Sequence, residues 1–84
     1  MSAPVDDRID DLRTAISGID GEIVELVARR ITLSREVGAL RMAAGGTRLA
    51  LSREQVIVDR FTAALGADGT ALAMLLLRAS RGRL

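Results

Sequence analysis

Arginine at position 30 interrupts an apolar stripe. Ile9, Leu12, Ile16, Ile19, Ile23 and Leu26, then Leu33, Val37 and Leu40, recur at alternating intervals of three and four, the heptad spacing of one helix face. The next position on that face after Leu26 is occupied by Arg30. Burying a guanidinium without a partner is expensive. Arg30 therefore snorkels or pairs with an internal glutamate, or it points into a cavity that receives an anion. Arg41 favours the cavity. It follows Arg30 by eleven residues, three helical turns, which brings it within about 20° of the same face and roughly 16 Å along the axis. Long side chains from both can close on one small molecule, with Ser34 and Val37 lining the space between. The chemistry open to such a pair is the binding of an anion and the stabilisation of negative charge as it develops.

Further charges have two readings each. Arg53 and Glu54 stand at the start of a second helix. Glu54 there either compensates the helix dipole or accepts from a ligand hydroxyl. Arg13 precedes Arg30 by 17 residues, about 26 Å on a straight helix. It cannot reach the same small ligand within one chain, but it could from a partner chain packed antiparallel. Arg29 and Arg35 point elsewhere and are expected to be solvated. The chain has no Cys and no His, which excludes disulfides, cysteine-based zinc sites and Ser–His or Cys–His nucleophilic catalysis. No metal and no cofactor is expected.

The elements that must position these residues are helical. A first helix of about 36 residues, ended by Gly45 and Gly46, would be roughly 54 Å long. Gly18, Gly21 and Gly38 lie inside it, each weakening it by up to about 1 kcal/mol, yet the apolar period holds across them. Ser52 and Gln55 match a capping box, and Val56, Ile57, Phe61, Ala64 and Leu65 continue that second helix to a stop at Gly66. Asp68 is placed to cap a third helix from about Gly69 to Ser80, apolar nearly all round and so expected to be buried. With 84 residues the chain makes one domain, 1–84, in which 1–5 are expected to be disordered and 81–84 a flexible tail. A compact domain of this size has a radius of gyration of about 12 Å, so the first helix overhangs any monomer. The same helix from a second chain is the simplest cover for its stripe. The expected fold is all-α, three helices with one very long, in an intertwined helical homodimer.

Net charge is +1, from twelve basic and eleven acidic residues, and bulk attraction to nucleic acid or a membrane surface is weak. Phe61 is the single aromatic, a poor basis for stacking on bases. The opening residues are polar and acidic, unlike a secretory leader, and the longest apolar run, 71–77, is too short to span a bilayer. A cytoplasmic protein is expected, with neither nucleic acid nor membrane as partner.

Leu12-Arg13 with Ile16 and Ile19-Asp20, Leu26 to Arg30, and Val37-Gly38 with Arg41 together resemble the first helix of AroQ-class chorismate mutases. Ser52-Arg53-Glu54 resembles the start of their second helix. The stretch from Arg41 to Leu49 and the ending from Leu75 to Leu84 are similar to the short actinobacterial subclass. The resemblance implies an intertwined dimer, an isomerase of the shikimate pathway of aromatic amino-acid biosynthesis, converting chorismate to prephenate. It implies that Arg13 of the other protomer and Arg30 bind the substrate's anionic end, and that Arg41 is the cation at its ether oxygen. Arg53 would lie at the ring carboxylate, Glu54 would accept from the ring hydroxyl, and Arg81 would fall near the ether oxygen. Ala50, Ile57 and Leu77 would complete the substrate-binding set. Many family members carry an acidic residue where this chain has Ala50, so hydroxyl recognition rests on Glu54. In the similar short subclass, DAHP synthase is the activating partner, and the ending Arg81-Gly82-Arg83 suits that arrangement. Two alternatives remain: isochorismate pyruvate lyase on the same fold, and a non-catalytic helical dimerisation module, which would not require Arg30 in the stripe.

Overall fold

A computed structural model describes residues 3–46 and 51–81. These residues form three helices and no strand: α1 (Pro4–Ala43), α2 (Leu51–Leu65) and α3 (Ala67–Arg81). The all-α class and the helix order agree with the sequence reading, but several boundaries differ. α1 has 40 residues because Pro4 starts it: a proline is preorganised for the first helical position and gives up an N–H that would have no partner there. Asp6 and Asp7 in the first turn add favourable charge at that end. Pro4 and Val5, expected to be disordered, are thus helical. Arg81, expected in a flexible tail, is the last residue of α3, while 82–84 lie outside the described residues. Ser52 falls inside α2 rather than at its cap, and Asp68 likewise lies in the first turn of α3.

The end of α1 is a two-glycine stop. Gly45 has φ +84°, its N–H donates to Met42 O at 3.0 Å, and Gly46 N–H donates to Arg41 O at 2.8 Å. This is the Schellman pattern, which satisfies carbonyls that a helix end leaves open. Gly66, with φ +70°, is the single non-helical residue between α2 and α3. The pairing of Phe61 with Gly69 and of Glu54 with Arg81 shows the two short helices running antiparallel.

α3 packs on both other helices. Its buried face is Gly69, Ala73, Leu76, Leu77 and Ser80, one stripe at helical spacing. Met74 and Leu75 on the other side are about half exposed, so the expected all-round burial of this helix does not occur within one chain. On α1, the residues partly covered are Val27, Arg30, Ile31, Ser34 and Gly38. That face is rotated from the heptad stripe. Ile9, Leu12, Ile16, Ile19, Ile23, Leu26, Leu33, Val37 and Leu40 remain 40–66% exposed. The radius of gyration is 18.1 Å and the longest extent 67 Å, half as large again as a compact chain of this length. Among the described residues, no helix is long and apolar enough to cross a membrane.

Candidate active site

Where the last turn of α3 meets the second half of α1 and the first turns of α2, an open pocket of about 870 Å³ forms. Each helix contributes by its own periodicity. Arg30, Ser34, Val37 and Arg41 come from successive turns of α1; Arg53, Glu54 and Ile57 from the start of α2; Leu77, Ser80 and Arg81 from the end of α3. The Schellman stop fixes the backbone of Arg41, whose carbonyl accepts from Gly46. The wall carries six arginines and one carboxylate, Glu54. Such a pocket attracts anions, and its partly desolvated walls strengthen that attraction.

Most of the expected site residues therefore meet: Arg30, Arg41, Arg53, Glu54, Ile57, Leu77 and Arg81 all line this pocket. Arg13 does not, and lies exposed in the first half of α1. Ala50 lies outside the described residues. Arg29 and Arg35 also line the pocket, contrary to their expected orientation away from it. Arg35 Nη2 donates to Ala79 O at 3.3 Å, so its long side chain reaches round α1 to a carbonyl near the end of α3, where helix carbonyls lack partners.

Two contacts order the charges. Arg81 donates from Nε to Glu54 Oε2 at 3.0 Å and from Nη2 to Glu54 Oε1, a two-point ion pair that joins α3 to α2. Arg30 Nη1 donates to Ser80 Oγ at 3.3 Å. Ser80 was not among the residues singled out from the sequence. Its signal there is a polar residue spaced three, four and seven from Leu77, Leu76 and Ala73, on the face of α3 that the core takes.

Residues 12–76 match the family described as chorismate mutase type II. The chain belongs to that family. It is 51% identical over 77 residues to the intracellular chorismate mutase of Mycolicibacterium smegmatis, covering 92% of this chain and 74% of that protein. It is 52% identical over 83 residues to the intracellular chorismate mutase of Mycobacterium tuberculosis, covering 99% of this chain and 77% of that protein. Its fold matches, with a TM-score of 0.91 and 41% identity over 98% of this chain and 99% of the other, a chain in the non-covalent complex of DAHP synthase and chorismate mutase from Corynebacterium glutamicum with a bound transition state analog. As a type II chorismate mutase the chain is an isomerase acting in aromatic amino-acid biosynthesis.

Proposed function

We propose that the chain rearranges chorismate to prephenate in the α1–α2–α3 pocket, with each pocket completed by Arg13 of a second copy. The convergence of Arg30, Arg41, Arg53, Arg81 and Glu54 on one open pocket carries this reading. The reaction is pericyclic and unimolecular: one carbon–oxygen bond breaks as a carbon–carbon bond forms, and no proton, nucleophile or electron is exchanged with the protein. It needs a dicarboxylate held in a near-attack shape and positive charge where the ether oxygen gains electron density. A wall of arginines without histidine or cysteine is adequate for both. In this scheme Arg30 and the second copy's Arg13 hold the side-chain carboxylate, Arg53 the ring carboxylate, and Arg41 the ether oxygen, with Arg81 near it. Ile57 and Leu77 pack on the ring. Glu54 accepts from the ring hydroxyl; a carboxylate offers about four acceptor sites, so the pair with Arg81 orients it and still leaves room. A rate enhancement of about 10⁶ requires roughly 8 kcal/mol, of which one donor to the developing oxyanion contributes roughly 3–4 kcal/mol.

The second copy is argued from the uncovered stripe. Nine apolar side chains stand 40–66% exposed along α1, and covering them contributes on the order of 10 kcal/mol per chain at the usual value per unit of apolar area. A two-fold partner brings an identical stripe, and an antiparallel α1 carries its Arg13 toward the pocket. The complex that contains the Corynebacterium glutamicum chain supports DAHP synthase as a partner; in this scheme that partner also activates, so adding it to the purified chain is expected to raise its activity. The naming of the mycobacterial relatives as intracellular supports a cytoplasmic location.

The purified chain, incubated with chorismate, is expected to form prephenate. Incubated with isochorismate, it is expected to release no pyruvate. Pyruvate without prephenate would make the chain a lyase, and neither product, with or without DAHP synthase, would leave a dimerisation module.

A further inference from the structure

Past Leu77 the end of α3 has little apolar anchorage. The buried apolar residues of this helix are Ala73, Leu76 and Leu77, whereas Arg78 is exposed and Ala79 and Arg81 are half-buried. Yet this turn carries Arg81 to the pocket. The last four carbonyls of a helix find no partner within it. Ala79 O is one of them, since α3 ends at Arg81. It accepts instead from another helix: Arg35 Nη2 of α1 donates to it at 3.3 Å. Arg35 follows Ser34, which is partly covered, so it stands at the edge of the face of α1 that α3 packs on. Among the described residues no carboxylate pairs with Arg35, and its charge is free to act on the negative end of the α3 dipole.

We infer that Arg35 is a positioning residue that caps α3 from outside, holding its last turn so that Arg81 stays in the pocket. Basic side chains near a helix C-terminus bond its open carbonyls from within the same helix. Here the cap comes from a neighbour and ties the end of α3 to the second half of α1. The ion pair of Arg81 with Glu54 ties the same turn to α2, so the turn is held on two sides. Helix ends open at little cost. A cation placed there changes the opening equilibrium by about three- to fivefold, enough to move the ordered fraction of a turn that opens readily.

The catalytic consequence rests on the proposed place of Arg81 near the ether oxygen, whereas the cap itself does not. Arg35→Ala removes an exposed side chain and leaves a strong helix former in α1, so the fold should be kept. Amide exchange at Ala79, Ser80 and Arg81 is expected to quicken about three- to fivefold, with residues 73–77 unchanged. For chorismate, kcat should fall about two- to threefold at constant KM, because Arg81 acts on charge that develops in the transition state. Arg35→Lys, which keeps a donor and the charge, should restore both. In an Arg81→Ala background, Arg35→Ala should lower kcat no further. Unchanged exchange at Ala79, Ser80 and Arg81 would overturn the inference and leave the role of Arg81 intact. So would a rise in KM at constant kcat that vanishes at about 0.5 M salt, since Arg35 would then be a remote charge for the substrate. A wild-type kcat in Arg81→Ala would overturn the role of Arg81, and with it the catalytic consequence of the cap.

Discussion

Arg81 and Glu54 lie 27 residues apart in sequence and meet at 3.0 Å, Nε to Oε2, with a second bond from Nη2 to Oε1. The pair ties the last residue of α3 to the first turn of α2, so the hairpin of short helices is closed at both ends: by the Gly66 turn at one and by this ion pair at the other. It also holds in place the one carboxylate of an arginine-lined pocket.

Breaking that tie should cost measurable stability. The two side chains are 29% and 18% exposed, so solvent screens part of the interaction, and a loss of about 1 kcal/mol is expected for Arg81→Ala. In a domain of this size that corresponds to a fall of about 5 °C in unfolding temperature. Thermal unfolding followed by helical circular dichroism measures it; an unchanged midpoint would mean that water replaces the pair fully.

Arg41→Ala should lower kcat/KM by at least about 10²-fold, the usual consequence of removing one donor to a developing oxyanion. Its backbone is fixed by the glycine stop rather than by its side chain, so the helix content should be preserved. Full activity in a folded Arg41→Ala protein would remove this residue from the reacting centre.

Gly69→Ala tests the closeness of α2 and α3. A Cβ at Gly69 would lie 2.0 Å from Phe61 O and 2.9 Å from the Leu65 Cβ. Backbone cannot yield as a side-chain tip can, so the helices must separate, and a destabilisation of at least about 2 kcal/mol is expected. Denaturant unfolding measures it, with wild-type stability as the contrary result.

The sequence showed what depends on period. The stripe from Ile9 to Leu40 marked α1, and the same arithmetic put Arg30 and Arg41 on one face, where the pocket now finds both. The two-glycine stop and the Gly66 turn were legible because each demands a residue that tolerates positive φ. What periodicity does not carry is which neighbour covers which face. The long stripe drew attention to itself, whereas α3 packs on the less conspicuous row Val27, Ile31, Ser34 and Gly38. Ser80 and Gly69 read as a polar residue near a helix end and a helix start; their roles come from the angle at which α3 crosses its neighbours. Arg35, solvated as expected but turned toward the pocket, and Arg81, a site residue that ends α3 rather than lying in a loose tail, differ from the reading for a related reason: a long side chain at a helix surface reaches whatever carbonyl or carboxylate the next helix presents, and that is a tertiary fact.

The central claim is a pocket built from two chains, and mixing two inactive variants tests it most directly. Arg13→Ala and Arg30→Ala should each be nearly inactive alone. Unfolded together and refolded, they pair at random, so about half of the dimers are mixed in a two-fold assembly, as mass measurement can verify. In a mixed dimer one pocket collects both substitutions and the other collects neither. Activity should therefore return to about a quarter of the wild-type value for the same number of pockets. If mixed dimers form and no activity returns, both arginines of each pocket come from one chain, and the shared site is wrong.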